Sequence, residues 1–329
     1  VYLTYFLSKK LFGSLVAFSS AFFVAVNFRE VLNSHIGLPD IYNAFFLLLS
    51  IIAVFKVLEN SSRKNYVFTG ITNALYFSTK FQVFSFMPFL LAHLVISYQK
   101  SKGSILLFIK SVFSLNFILA LGIIPILVAI INPYHLIKFE LFRETQGYVA
   151  SKYAMGTNVL NIYPISYLYH IGIGEILSVL FLLGIIFGLF KYTVKTILLL
   201  SVVVPFLFVF LYYSRGGFYT RNFVTITPIL LIFAGISIQL FYKIVSKFIK
   251  KGKVVYLTCF LLVLIASWSN IEKSLIIVKE YSKPWNINVL YSWLVKNIPA
   301  GSTISAHSNV PLPIDDVKRL TYEPNIFFS

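Results

Sequence analysis

The sequence predicts an all-α polytopic transmembrane helical bundle, and three observations support this fold class. Of its 329 residues, 58% are hydrophobic and 12% are charged, whereas a soluble domain carries about a quarter charged residues. Mean hydropathy is +0.83. Apolar runs recur along the chain, at residues 11–28, 41–58, 66–79, 81–98, 104–131, 174–190, 196–213, 222–242 and 254–269. Because a span takes about 20 residues, we expect about nine spans, of which the run 66–79 is the marginal one.

The distribution of charge predicts which face of the membrane carries the chemistry. If the loop after the first run lies outside, the inner loops hold 14 lysines and arginines and the outer loops hold 7. This split follows the positive-inside rule, so the net charge of +17 is explained by topology and we expect no nucleic-acid partner. Glu59 is the one loop acid on the inner side, and the other loop acids, Asp40 among them, lie outside. Functional chemistry is therefore expected on the outer face.

Elements near the two ends set the expected domain boundaries. The chain begins with Val1 as though within a preceding element, and we expect it to lack an N-terminal part. After the last run, residues 291–301 have the pattern of a short amphipathic helix stopped by proline and glycine, and residues 302–306 alternate like a strand. We therefore predict a membrane domain over residues 1–269 and the start of a small extracytoplasmic α/β domain, itself incomplete, over residues 270–329.

Asp40 stands directly before an apolar run and directly after Pro39. Proline is common at the first position of a helix, and a carboxylate there can cap free backbone amides and suits the helix dipole. The alternative interpretation is that Asp40 faces an active site at the membrane surface. Which of these two roles applies depends on the residues that lie near Asp40.

Three clusters meet at the outer surface under this topology. They are His35 with Asp40, Lys80 within the sequence STKF, and the segment 212–222, which carries Arg215 and Arg221. Interfacial cations often only extend toward lipid phosphates. A carboxylate together with three cations on the less basic face instead suits a phosphate held by charge-assisted bonds, beside a group able to act as a base.

Four segments carry a resemblance to a known family. GLPDIYNAFFLLL, TGITNALYFSTKFQVFSFMPFLLAHL and YTRNFVTITPILLIFAGISI occur in this order, and WLVKNIPAGSTI follows the last run. The set resembles the polytopic GT-C glycosyltransferases of the protein O-mannosyltransferase and aminoarabinose-transferase type. The resemblance implies a GT-C-like membrane domain and inverting transfer of a hexose or pentose from a polyprenyl-phosphate donor to a lipid, glycan or protein acceptor on the outer face.

The resemblance also implies roles for individual residues. Asp40 matches a supporting acid, since the principal catalytic carboxylate of the family lies in a first outer loop that this chain lacks, so this chain alone is expected to be inactive. A divalent metal ion near Asp40 is left open. Asn222 departs from the aromatic residue that often follows the matched arginine. Cations expected to bind the donor phosphate are Lys80, Arg215 and Arg221, and residues expected to contact substrate are His35, Tyr219 and Glu144.

Three other classes of protein remain as alternatives. A transporter or flippase for a lipid-linked sugar tends to carry ionisable groups at mid-membrane; here His93 and Lys110 are the ones well inside apolar runs, both toward the inner end. A polysaccharide polymerase or ligase also depends on outer arginines. A structural membrane protein would not need the outer acid and cations. The expected location is a prokaryotic plasma membrane.

Overall fold

The computed structural model describes residues 1–154, 160–212, 220–283, 286–299, 302–306 and 318–321. The chain divides into two compact units, Val1–Ser274 and Leu275–Ser329. Helices dominate the described residues. Their bounds are α1 Tyr2–Phe12, α2 Ser14–Val26, α3 Phe28–Ser34, α4 Pro39–Glu59, α5 Arg63–Lys80, α6 Phe86–Ser101, α7 Ile105–Val112, α8 Leu115–Ile131, α9 Tyr134–Ile137, α10 Phe139–Ala154, α11 Tyr163–Tyr167, α12 Glu175–Lys191, α13 Thr193–Tyr212, α14 Thr227–Phe248, α15 Gly252–Tyr281 and α16 Asn286–Asn297, with a π-helix at Leu168–Gly172 and a 3-10 helix at Thr220–Thr225.

Several of these helices are long and apolar enough to cross a membrane. By length and composition, five segments of the described chain qualify: α4, Ile105–Ile131 (α7 with α8), α13, α14 and α15. Two bent pairs raise the number to seven if each is one span: α2 with α3, bent by 59°, and Tyr163–Gly172 with α12, bent by 112°. The protein is therefore multi-pass.

The expected count of about nine spans is not confirmed. The run 66–79 lies in α5, which holds three cations, Arg63, Lys64 and Lys80, in its 18 residues. The run 81–98 lies largely in α6, which is 16 residues long, short of the roughly 20 residues that a perpendicular span takes. Both helices pack against α4, so the structure places them in the bundle without showing that they cross a bilayer.

α14 is the central helix of the first unit. Every residue from Thr227 to Ile238 is buried, and α2 and α12 pack on it. Glycines permit the close approach: a Cβ on Gly184 of α12 would lie 1.8 Å from the Phe233 carbonyl oxygen, and one on Gly235 would lie 2.2 Å from Ser20 Oγ. Small residues at helix contacts are the usual means of packing spans closely in a membrane.

In the second unit, the structure describes α16 and two short strands, β1 Thr303–Ala306 and β2 Lys318–Thr321, which pair in parallel with Thr303 opposite Lys318. β1 lies where the sequence predicts a strand, and α16 overlaps the predicted amphipathic helix. An α/β domain that begins at residue 270 stays a prediction, because α15 continues through that position to Tyr281 and the described part of the unit is small.

Candidate active site

Asp40 lies in the first turn of α4, but it does not cap the helix. Leu38 occupies the N-cap position without a side-chain cap hydrogen bond, and Pro39 is the first helical residue. The Asp40 side chain is fully buried, at 0% exposure. A buried carboxylate needs partners, so its contacts rather than its place in the helix explain it.

Lys80 is the first partner of Asp40. Residues 60–62 join α4 to α5, and so short a connection makes the two helices antiparallel neighbours. The start of α4 and the end of α5 therefore meet. The Lys80 ammonium donates hydrogen bonds to Asp40 Oδ1 and, over 2.9 Å, to Asn222 Oδ1. Burial lowers the pKa of Lys80, and the hydrogen bond to Asp40 opposes this shift, so Asp40 favours the charged form of the ammonium.

Arg221 completes the charged group. It lies in the 3-10 helix Thr220–Thr225, and its Nε is 3.9 Å from Asp40 Oδ2, an oxygen that accepts no hydrogen bond from the described residues. The Arg221 side chain is 47% exposed, against 15% for Lys80. Among the described residues, two cations thus share one carboxylate, which gives this group a net positive charge beside a solvent-accessible guanidinium. This arrangement suits an anion rather than a metal cation.

A second polar residue of α4, Asn43, bonds this helix to α5 and to the 3-10 helix Thr220–Thr225. Asn43 is fully buried and lies one turn after Asp40. Its amide donates to Thr79 Oγ1 over 2.6 Å, and its Oδ1 accepts a hydrogen bond of 2.9 Å from Thr225. Sequence reasoning missed Asn43 and Thr225. The available signal was the spacing of three between Asp40 and Asn43, which places two polar side chains on one face of an otherwise apolar helix.

Arg29, also missed from the sequence, holds the other end of the 3-10 helix. Its Nη2 donates to Thr220 Oγ1 over 2.5 Å, and its guanidinium carbon lies 5.6 Å from the centre of the Tyr167 ring. Thr220 is the neighbour of Arg221. The 3-10 helix is therefore bonded to α3 through Thr220, to α5 through Asn222 and to α4 through Thr225, and this sets the position from which Arg221 projects.

A cavity of about 390 Å³ opens beside these charges. Its polar lining residues are Lys80, Gln82, Arg221 and Asn222. The rest of its wall is largely apolar, and its members there include Phe81, Val83, Phe84, Val149, Val209 and Phe210. Phe81 ends α5 in the left-handed region, at φ 53, so the backbone turns sharply between the cation and the apolar wall. A phosphate carried on an apolar chain fits both walls.

The other predicted site residues do not line this cavity or fall outside the described residues. His35 is exposed at the end of α3, and its Nδ1 lies 2.7 Å from the Val31 carbonyl oxygen of the same helix. Glu144 is exposed on α10 and lines a separate cavity with residues 136–141. Arg215 and Tyr219 lie outside the described residues. Their roles stay predictions.

The described residues give no set of ligands for a divalent metal. Within the described ranges, no three His, Cys, Asp or Glu side chains lie close enough together to hold one. At the site itself, Asp40 is engaged by two cations, whereas Mg²⁺ and Ca²⁺ take several oxygen ligands. We therefore assign no residue to a metal.

Comparison with known proteins gives a match over the first part of the chain. Residues 1–128 match the family model described as dolichyl-phosphate-mannose-protein mannosyltransferase. The matched segment includes Asp40 and Lys80 and ends before Arg221. No curated protein matches the chain. Over this first part of the sequence the chain is therefore similar to a family of glycosyltransferases, and its described residues include several helices apolar enough to cross a membrane.

Proposed function

We propose that the protein transfers a sugar from a polyprenyl-phosphate carrier to an acceptor hydroxyl at the outer face of the membrane, with inversion at the anomeric carbon. The observation that carries the proposal is the position of Lys80, Arg221 and Asn222 on one wall of a cavity whose other walls are largely apolar. The cations bind the phosphate, and the apolar walls take the first part of the prenyl chain.

The reaction is a single displacement. The acceptor oxygen forms a bond to the anomeric carbon while the bond from that carbon to the phosphate oxygen breaks, and the hydroxyl proton passes to a carboxylate base. The polyprenyl phosphate leaves with both electrons of the broken bond. Lys80 and Arg221 stabilise the charge that develops on it, which is the kind of electrostatic effect that often contributes most to a rate.

Asp40 acts in this scheme as a supporting acid. Both of its oxygens face cations, so it holds Lys80 and Arg221 in position and partly neutralises them. It does not cancel them, since one positive charge remains for the phosphate. The base that accepts the proton is a different carboxylate, as the family resemblance implies.

We infer the outer face from the distribution of charge in the sequence. In the nine-span topology, the end of the bundle that carries Asp40 and Lys80 is the one opposite the 14 inner cations. We refer to it below as the predicted outer end. A lipid-linked donor that is delivered to this face can enter the cavity from the bilayer.

The test is transfer of labelled sugar from polyprenyl-phosphate donors to membrane acceptors by the complete protein in vesicles. Lys80→Ala and Arg221→Ala should abolish transfer and leave membrane insertion intact. Lys64→Ala is the matched control for Lys80, since it removes an exposed cation from the other end of α5, and it should transfer normally. Arg143→Ala serves the same purpose for Arg221.

Full transfer by both cavity variants would overturn the proposal. Movement of the lipid-linked sugar across the bilayer, with no transfer to any acceptor, would instead favour a flippase. The structure offers one observation on that alternative: His93 is buried, and its two ring nitrogens contact Tyr66 Oη at 2.6 Å and the Val112 carbonyl at 2.9 Å. These bonds give His93 a structural role.

A further inference from the structure

A second concave region of the first unit lies away from the Asp40 cavity. It is a groove of about 670 Å³, within the range of ligand pockets of roughly 300–1,000 Å³. The groove lies in the corner where the segment Tyr163–Gly172 meets α12 at a bend of 112°, and one side of α15 closes it. Neither the family match, which ends at residue 128, nor the proposed donor site includes its residues.

Buried amides fix the shape of this corner. Asn270 of α15 donates to the Ile173 carbonyl over 2.9 Å, and Asn27 donates to the Gly172 carbonyl over 3.0 Å. Gly174 then turns the chain at φ 92. Asn27 and Asn270 are both buried. The groove is therefore formed before any ligand arrives, which lowers the entropic cost of binding.

The groove has an apolar side and a polar end. Leu261, Leu264 and Ile265 form the apolar side on α15, which is a candidate span, and Ile265 is 62% exposed. Trp268 and Ser269 follow one turn later, then Lys273 at the end. Tryptophan at the boundary between an apolar and a polar stretch is typical of the membrane interface. A bound molecule would therefore lie with a hydrocarbon part along α15 and a polar part at the predicted outer end.

The polar end differs in chemistry from the donor site. His170 Nδ1 lies 3.1 Å from Glu175 Oε1, and the Lys273 ammonium lies 5.6 Å from the centre of the Phe28 ring. The charges of Lys273 and Glu175 balance, so this end does not select a phosphate by net charge. It offers a carboxylate that accepts hydrogen bonds and ammonium, indole and hydroxyl groups that donate them. Such a mixture suits a headgroup rich in hydroxyls.

Contacts connect this end to the donor site. His170 follows Tyr167 by three residues along the α11 and π-helix segment, and Arg29 contacts both Tyr167 and Thr220, the neighbour of Arg221. On the other side, Lys273 contacts Phe28, the neighbour of Arg29. The headgroup end of the groove and the phosphate-binding arginine therefore share the Phe28–Arg29 segment as a common support.

We infer that the groove binds the acceptor of the reaction, and that this acceptor is an amphiphile with a hydroxylated headgroup, a glycolipid. The inference rests on the proposed function, since it selects the lipid class among the lipid, glycan and protein acceptors. The hydrocarbon chains lie along Leu261, Leu264 and Ile265. The sugar headgroup contacts Trp268, Lys273 and the His170–Glu175 pair.

The experiment is photo-crosslinking of the complete protein in phosphatidylcholine vesicles. The probe is a monoglucosyl diacylglycerol with a diazirine in one acyl chain, and the comparison probe is a phosphatidylglycerol with the same chains. Labelled peptides are identified by mass spectrometry. The glycolipid should label α15 between residues 261 and 268 in preference to the phosphatidylglycerol. Trp268→Ala and Lys273→Gln should each reduce this labelling about tenfold, as expected for loss of one contact to a polar headgroup.

Two variants on the same helix are matched controls. Leu257→Ala removes an exposed apolar side chain of α15 and Lys253→Gln removes a cation from its other end, both outside the groove. Both should label like the unmodified protein. Equal labelling by the two probes, or labelling that Trp268→Ala and Lys273→Gln leave unchanged, would overturn the inference. So would displacement of the glycolipid by a serine- and threonine-containing peptide, which would indicate a protein acceptor.

The crosslinking needs no donor and no transfer, so its outcome is independent of the proposed function. Arg221→Ala changes a side chain that is 47% exposed, so it should label α15 normally although it abolishes transfer. If Lys80→Ala and Arg221→Ala both transfer normally, the donor-site proposal fails and the labelling result still stands. If labelling fails in a protein that loses transfer with Lys80→Ala, the groove inference fails alone.

Discussion

The two polar regions at the predicted outer end differ in how their charges are held. Asp40 is fully buried and faces two cations, whereas the His170 and Glu175 side chains are 55% and 62% exposed. Removing one partner of a buried pair leaves an uncompensated charge out of water, while exposed pairs contribute little to stability. The charges of the first region therefore contribute both to phosphate binding and to the stability of the fold. Those of the second region can change partners at little cost to stability.

The difference matches the two parts that a transfer reaction needs. A departing phosphate must be stabilised by groups that do not reorganise as charge develops, and the bonds among Lys80, Asp40 and Asn222 supply this rigidity. An acceptor must enter and its product must leave, which favours open and loosely paired groups. The following predictions test whether the two regions differ in this way.

The largest effect is expected from Asp40→Asn. The change keeps the volume but leaves the buried Lys80 ammonium without its counter-charge, which should lower the free energy of unfolding by about 3–5 kcal/mol. Denaturant unfolding of the detergent-solubilised protein measures it. The double variant Asp40→Asn, Lys80→Met should recover part of the loss, because it removes the orphaned charge. Unfolding of Asp40→Asn at the unmodified midpoint would show that the pair is not buried as described.

A smaller effect is expected from Thr225→Val. Valine matches threonine in shape but donates no hydrogen bond, so Asn43 Oδ1 loses the partner that it has at 2.9 Å. A buried acceptor left unsatisfied costs about 1–3 kcal/mol, again measured by denaturant unfolding. Thr193→Val is the control, since Thr193 is exposed and its hydroxyl donates to the Leu189 carbonyl near the end of the preceding helix, α12. Equal stability of the two variants would contradict the bonding of the 3-10 helix to α4.

Arg221→Lys should separate charge from geometry at the donor site. Lysine keeps the positive charge but lacks the planar fork that binds phosphate through two parallel bonds. We expect the rate of transfer to fall about tenfold, near 1.4 kcal/mol of transition-state stabilisation, with no change in unfolding, because the side chain is 47% exposed. Transfer at the unmodified rate would mean that Arg221 acts as a point charge, and a loss as complete as in Arg221→Ala would mean that its charge contributes nothing by itself.

Parts of this arrangement could be predicted from the sequence because they depend on neighbours along the chain. The apolar runs correspond to helices, and the short link at residues 60–62 brings Asp40 to Lys80. Arg221 could be predicted as a site residue because it lies at the start of an apolar run, where a span meets the membrane surface. The span count was harder, since hydropathy does not show the break at Asn27 between α2 and α3 or the 112° bend before α12.

The remaining parts depend on contacts between distant residues, which one sequence does not reveal. Arg29 and Thr220 are 191 positions apart, and Asn27 and Gly172 are 145 apart. Nothing near Arg29 or Asn270 marks either as part of a site. Conversely, the five-residue separation of His35 and Asp40 suggested a cluster, but the turn between α3 and α4 leaves the His35 ring beside the Val31 carbonyl.

The smallest effect is expected from Glu175→Gln, which is the same chemical change as Asp40→Asn made in the open region. Glutamine keeps the volume and an oxygen able to face His170, and an exposed surface substitution changes the free energy of unfolding by no more than roughly 0.5 kcal/mol. The expected effect is a weaker affinity for a glycolipid acceptor, because a carboxylate accepts stronger hydrogen bonds from sugar hydroxyls than an amide does.

Steady-state transfer at varied glycolipid concentration measures this change. The KM for the acceptor should rise, by about tenfold at most, while kcat and the KM for the donor stay constant. A lower kcat at unchanged KM would place Glu175 in the chemistry of the reaction rather than in the binding of the acceptor. Destabilisation as large as that of Asp40→Asn would remove the distinction between the two regions, since it would show that the exposed pair is as necessary to the fold as the buried one.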